Sequence, residues 1–593
     1  MNLSYQKINV NMHTALTIYK GIGAKFLLES ATLQNSRGRY SILVRENNFI
    51  LSKEIYNGKF CYFFKQKSRD LYAKQQADFS LNSHSQNFNH LETNTESKMN
   101  AKVLEDSKKQ GKESRINYDK FDLLNLESYE NLPRILDKLR PNIQSIRDAR
   151  HQNAQYNIKN DSPKLDFLSL ASMLRELYPS LPSELESIPI PLGGLGFLCY
   201  EFFSECENVS FNKPSLQEII ENSNTNQLIN SNNNEKSYIP ECLLVFPQEC
   251  VIFDHFYDEA YIVVCAPNEK GLDSKSQVES LVAEIQSCTH KQIQKVLPAK
   301  AQERNMKDMS IHNINNDEAL NSKVIYEDSK EWYQEYVTKI TKEIYKGTFL
   351  QCVLSRAIVI QSNMNPLYVY ESLRRINPSP YMYYLNFDDF CIVGASPELM
   401  IKCKHGIQTL KPIAGTRKRG KTLQEDRILE DELLNDSKEN AEHLMLIDLA
   451  RNDIGRNSTI GSVRIQTYKS IEKYSSVMHI VSEINGEIRD DKNQNDCLRA
   501  CFPAGTVSGA PKIEAIKKLA SYETHKRGFY SGAIIYFERN GDIDSAITLR
   551  STLYMNGKYY LQVGAGIVMD SMPEFEYMET SNKIKTIYDI IMQ

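Results

Sequence analysis

The stretch SKEWYQEYVTKITKEIYKG at residues 329–347, followed by FLQCVLSRAIVI at 349–360, decides the fold class. In the first, Ser329 occupies a helix N-cap position, Trp332, Tyr336, Val337, Ile340 and Ile344 recur on one helical face, and Gly347 ends the pattern. The second is a nearly continuous apolar run of buried-strand length. Downstream, further strands are expected at Tyr383–Phe387, Val477–Ile484, Gly532–Phe537, Ala546–Tyr554 and Tyr559–Val568. Strands follow one another without a regular βαβ alternation. This predicts an α+β fold of large mixed or antiparallel sheets packed with helices.

Upstream, the short apolar runs Phe26–Leu28, Tyr40–Val44 and Leu243–Phe246 also suit strands. Three segments lose apolar periodicity and fill with Asn, Ser, Lys, Glu and Gln: about 82–120, 222–236 and 300–323. They read as polar insertions, and the third separates an N-terminal region, 1–310, from a C-terminal region, 324–593.

Charge excludes some partners. Lys plus Arg number 71 against 75 Asp plus Glu, a net of −4, which argues against broad capture of nucleic acid or an anionic membrane. The 12 cysteines form no CxxC pair and no zinc-spaced cluster, so they read as reduced thiols. With no leader pattern and no apolar run long enough to span a bilayer, a cytoplasmic protein is expected. Walker A, strand-linked GxGxxG, GxSxG and HExxH motifs are absent from the sequence.

Glu439 and Glu442 share a face of an amphipathic helical segment, 437–453, and Glu576 and Glu579 repeat that spacing in 573–583. If the two edges face each other they suit a hard divalent cation, with Mg²⁺ the economical choice; taken singly, such a pair is more often a solvated helix face. FPAGTVSGAPK (502–512) leads small residues into a helix and could receive a carboxylate, and Gly564-Ala565-Gly566 lets backbone approach a ligand closely. PIAGTRKRG (412–420) gathers three cations that could meet an anion or simply decorate a turn. His479, flanked by apolar residues, is either a core imidazole or a proton acceptor. Arg550, in an expected strand, needs a carboxylate partner from protein or substrate.

The ordered set FLLES (26–30), GRYS (38–41), GGLGFLCYE (193–201), NPSPYM (377–382), GASPEL (394–399), PIAGTRKRG, AEHLMLIDLARNDIGR (441–456), PAGTVSGAPK (503–512) and GAG (564–566) resembles the chorismate-utilising enzymes of the anthranilate synthase component I type. The catalytic resemblance covers about 324–589. It implies addition of ammonia at ring carbon 2 of chorismate with loss of the 4-hydroxyl, then elimination of pyruvate to leave anthranilate, the first committed step of tryptophan biosynthesis.

Carried over motif by motif, the resemblance implies Glu442 and Glu579 as Mg²⁺ ligands supported by Glu439 and Glu576. It implies Thr416 beside the ring, with Tyr530, Arg550, Thr506, Lys583 and the amides of Gly564, Ala565 and Gly566 holding substrate. Glu398 is then the acid that protonates the departing hydroxyl, and His479 the group that supports pyruvate loss. Gln351 stands where water-adding relatives carry a lysine base, and Ala414 where aminodeoxychorismate synthases carry a lysine nucleophile. Glu29, Ser30, Asn377, Pro378, Tyr381 and Met382 resemble a tryptophan-feedback pocket, with Tyr383 where relatives often have Phe. No GxCxG glutaminase motif occurs, so a separate glutamine amidotransferase and a hetero-oligomer are implied. The alternatives are an aminodeoxychorismate synthase component I and a non-catalytic tryptophan or chorismate sensor.

Overall fold

The computed structural model describes residues 1–10, 14–29, 39–56, 59–67, 118–122, 166–224, 239–267, 273–296, 322–474 and 477–593. The three polar segments and Ser30 lie wholly or almost wholly outside these residues. Among the described residues every strand pairing is antiparallel, and the strands form one connected network flanked by helices. The α+β expectation therefore holds in its antiparallel form.

Lys330–Tyr345 is the expected helix, with the Ser329 side chain accepting from Trp332 N. Its buried stripe runs through Tyr333, Val337, Ile340 and Ile344, while Trp332 and Tyr336 are only partly covered. The strand that follows, Gln351–Gln361, is buried at all but its last residue. It pairs with Lys558–Ile567 along its whole length and with Gly509–Ala510 at its start. This strand carries Gln351, and its long partner carries Gly564, Ala565 and Gly566.

One expected strand is two. Ile543–Ile547 and Ser551–Met555 are separated by Thr548, Leu549 and Arg550, and Arg550 has φ 48°, a left-handed conformation that ends extended pairing. Arg550 therefore projects from a break between strands and not from within one.

Two hydrogen-bonded seams join the residues before 310 to those after 324. Phe26–Glu29 pairs with Tyr381–Asn386, and Gly194–Leu198 with Ala533–Phe537. The main apolar core draws on both sides of these seams, for instance Phe49, Phe197 and Phe246 together with Phe390, Ile534 and Phe537. Two helices carry the paired glutamates: Ser437–Gly455, with Glu439 and Glu442, packs on Val477–Glu487, and Pro573–Met592, with Glu576 and Glu579, packs on Lys558–Ile567.

Candidate active site

Glu398 sits between the strands Phe390–Ser396 and Leu399–Lys404, its carbonyl accepting from Ile547 N. The side chain is buried, and Thr506 Oγ1 donates to its Oε1 at 2.8 Å. Burial pushes the carboxyl up to about 7, against the opposing pull of Thr506 and the positive charge of Lys583. A carboxyl so placed is a proton donor near neutrality. Thr506 belongs to the short 3-10 turn Gly505–Val507, packed so that a Cβ on Gly505 would come within 2.0 Å of Leu449 Cδ2 and force that side chain to shift.

His479 lies in the strand Val477–Glu487 and is 6% exposed. Its Nδ1 lies 2.8 Å from the Gly415 carbonyl and 3.1 Å from Thr416 Oγ1. A carbonyl only accepts, so this contact assigns the proton to Nδ1 and leaves Nε2 as the free basic nitrogen. Burial lowers the imidazole's affinity for a proton, the Gly415 bond opposes this, and the nearby Arg550 charge lowers it further; the net movement is downward. The ring is thus neutral and able to accept.

Arg550 is half-buried, and among the described residues its guanidinium has no hydrogen bond or ion pair. An uncompensated cation within electrostatic reach of His479 suits an anionic ligand. Tyr530 is buried, and its hydroxyl lies where a Cβ on Gly564 would come within 3.0 Å. A Cβ on Gly566 would come within 2.6 Å of Gln351 Nε2, so both glycines keep backbone open at the site. Gln351 donates weakly to Glu442 at 3.4 Å, and its buried Oε1 has no partner.

The two acidic edges face each other. Glu442 is moved up by burial and then by the negative charges of Glu439 and Glu579, which lie on different helices. Glu576 is likewise moved up, by burial and then by Glu579, with the Ser571 bond opposing. Lys583 Nζ bridges this edge to the glycine segment, 2.6 Å from Glu579 and 3.1 Å from the Gly564 carbonyl. Glu439 is steadied by Arg417 at 3.4 Å and lies against Gly415, where a Cβ would come within 3.2 Å of it. No group of three or more His, Cys, Asp or Glu among the described residues is closed to cation distance. The donor chemistry nonetheless fits Mg²⁺: carboxylate oxygens from two helices that repel one another at a partly open edge.

A separate cavity of about 570 Å³ is lined by Glu29, Tyr40, Tyr381, Met382, Pro397 and Lys411, among others. Asn377 and Pro378 are outside this lining; Asn377 ends the helix Pro366–Ile376. Glu29 is buried, accepts from Tyr370, and is gripped by Arg374 at 2.9 and 3.3 Å. Sequence reasoning missed Tyr370 and Arg374, although Arg374 in the last turn before NPSPYM was visible. It also missed the buried Glu523–Arg527 pair behind Tyr530, whose only outward sign is an arginine three residues before that tyrosine.

Residues 149–589 match the family described as chorismate binding enzyme. The chain is 43% identical over 357 residues to anthranilate synthase component 1 of Acetivibrio thermocellus, covering 60% of this chain and 69% of that protein. It is 38% identical over 400 residues to the same component of Spirochaeta aurantia, covering 68% and 76%. The crystal structure of anthranilate synthase component I from Streptococcus pneumoniae TIGR4 is similar with a TM-score of 0.60 at 25% identity, covering 98% of this chain and 99% of that one. The menaquinone-specific isochorismate synthase from Escherichia coli shares the fold, with a TM-score of 0.54 at 14% identity over 100% and 95%.

Proposed function

The chain belongs to the chorismate binding enzyme family, in its anthranilate synthase component I branch, and from that premise we propose how its residues convert chorismate and ammonia to anthranilate and pyruvate. The activity is that of a lyase. Chorismate is a dianion, and the site offers two poles for it. Arg550, Tyr530, Thr506 and the backbone at Gly564–Gly566 take the enolpyruvyl carboxylate; the acidic edge, with Lys583 beside it, would take the ring carboxylate once it holds a cation. Mg²⁺ held by Glu442 and Glu579, with Glu439 and Glu576 in support, would neutralise that carboxylate and the charge that builds as the ring is substituted.

Glu398 gives its proton to the departing 4-hydroxyl as ammonia adds at carbon 2, and the product is water. The neutral Nε2 of His479 then takes the proton from that ring carbon as pyruvate leaves, and Thr416 steadies the imidazole. Gln351 cannot deprotonate water, which favours ammonia as the nucleophile. Ala414, buried and paired with Ile480, presents no amine to attack the ring. A glutamine amidotransferase subunit supplies the ammonia, and tryptophan occupies the cavity beside Glu29 as inhibitor. The ten cysteines whose side chains are described are free thiols, which supports a cytoplasmic location. No described helix is long and apolar enough to cross a membrane.

The observation that carries this reading is Glu398, a buried carboxyl held half-protonated near neutrality by its surroundings and aimed by Thr506. The test is product analysis by fluorescence and mass after incubating the protein with chorismate, Mg²⁺ and a high concentration of ammonium near neutral pH. Anthranilate from the native chain and none from Glu398→Gln is the expected result. Aminodeoxychorismate as end product would move the chain to the sister branch, and no turnover by folded protein would make it a sensor.

A further inference from the structure

One fully buried charge beside the site takes no part in the acid, base or metal chemistry. Arg527 is 3% exposed and lies in the turn between the helix Lys512–Tyr522 and Tyr530. Its Nε donates to Glu523 at 2.9 and 3.1 Å, and Nη2 donates to the same carboxylate at 2.7 Å. The remaining donors reach two carbonyls: Nη1 meets Val507 O at 2.7 Å and Nη2 meets Val353 O at 2.5 Å. The guanidinium lies 4.5 Å from the Tyr200 ring centroid and 5.9 Å from that of Tyr530. Glu201 fixes the backbone beneath it, accepting from Arg527 N at 2.8 Å and Gly528 N at 3.1 Å.

The two carbonyls belong to adjacent segments of the site, joined by the hydrogen bond from Val353 N to Ser508 O at 2.9 Å. Val507 directly follows Thr506, whose hydroxyl holds Glu398. Val353 is the register partner of Gly566. A planar fork of fixed N–H directions holds a carboxylate side-on and two separate carbonyls at once; a lysine at this position would bring three N–H donors on one nitrogen, without the spread or the bidentate fit. We infer that Arg527 is a positioning residue for the reaction: through the Val507 carbonyl it sets the Thr506–Glu398 hydrogen bond, and through Val353 and Tyr530 it sets the enolpyruvyl pole. This rests on Glu398 being the acid.

The readout is kcat/KM for chorismate against pH, with total ammonium adjusted so that free ammonia stays constant. The rate falls as pH rises through the value at which Glu398 loses its proton. The other charges facing Glu398 are Lys583, Lys411 with its partner Glu483, and Asp453 with its partner Lys512. None of these is altered in the variants. Thr506 stabilises the charged carboxylate, so Thr506→Val moves the falling limb to higher pH. Arg527→Lys is expected to move the limb in the same direction and to lower kcat by about tenfold or more. Glu523→Gln, which keeps an acceptor but removes the charge that orients the guanidinium, should do the same in smaller measure.

A lower melting temperature with the limb unmoved in both variants would make Arg527 a structural residue and overturn the inference. So would failure of both variants to fold. Full activity in Glu398→Gln would instead refute the assignment of the acid itself, so the two failures are distinguishable.

Discussion

Pro397 and Glu398 are neighbours in the chain and face different cavities: Pro397 lines the cavity of about 570 Å³ that also holds Glu29, and Glu398 the cavity of about 40 Å³ that it shares with Thr506. A ligand in the larger volume therefore bears on backbone one residue from the acid. It can change the rate only by binding two arrangements of that segment unequally. Glu29 touches no part of the chemistry. Glu29→Gln and Glu29→Lys are expected to raise the tryptophan concentration for half-inhibition by at least ~tenfold while uninhibited turnover changes less than about twofold. Steady-state rates across a tryptophan series check this, and unchanged inhibition would remove Glu29 from the effector site.

His479 offers a division of labour that can be measured. With Nδ1 committed to Gly415, only Nε2 can take a proton, and the ring is neutral at working pH. His479→Met keeps the bulk but has no base. Formation of anthranilate should fall by at least ~100-fold while the aminated intermediate accumulates, detected by mass in stopped reactions. Equal loss of both half-reactions would mean that the ring serves binding and not pyruvate elimination.

Local sequence patterns were legible where one element's own residues decide the outcome. The helix after Ser329 has cap, period and stop in the chain itself, and only its exact stripe shifted, to Tyr333 from Trp332 and Tyr336. The break at Thr548–Arg550 was not legible, because a left-handed arginine has no side-chain signature comparable to glycine. At the site, the residue types were visible but their convergence was not. Nothing in the spacing of PIAGT places Gly415 against Glu439, or joins Lys583 to Gly564; the family resemblance brought these motifs to one site but gave neither contact. Buried counter-charges such as Arg374 on Glu29 are set by tertiary neighbours and leave no periodic trace.

The facing carboxylates can be neutralised one at a time. Glu442→Gln and Glu579→Gln each remove one charge from an edge where Glu439 and Glu579 help burial raise the proton affinity of Glu442, and Glu579 does so for Glu576. Each should weaken Mg²⁺ binding, read by calorimetry, and lower turnover by about 100-fold or more, with partial recovery at raised Mg²⁺. Lys585→Gln, on the same helix but paired only with Asp589 at 2.8 Å, should do neither. Unaltered Mg²⁺ titration in both Glu variants would show that the edge is not the metal site.

Stability depends on pH through one buried pair. His525 and Asp328 are 2% and 3% exposed at their side chains and lie 3.2 Å apart. Nδ1 of His525 faces the Lys526 carbonyl at 2.9 Å, so both ring nitrogens meet acceptors and the imidazolium satisfies both. Burial pulls the imidazole down, but the bond and charge of Asp328 override it and the net movement is upward. Asp328 moves the other way: burial raises it, and His525, Ala357 N and Tyr326 together carry it below its ordinary value. The histidine's contribution is full below its unfolded value of 6.5 and is lost as pH rises through the folded one. The aspartate's is full above its unfolded value of 3.8 and is lost as pH falls. The pair therefore stabilises most between about pH 4 and about 6.5. Replacing His525 removes the counter-charge of Asp328 but leaves Tyr326, Ala357 N and Thr524 donating to it, so His525→Asn should cost about 1–3 kcal/mol inside that window and less above it. Denaturant midpoints of both proteins across the pH range measure the difference, and a penalty independent of pH would show that His525 is neutral in the fold.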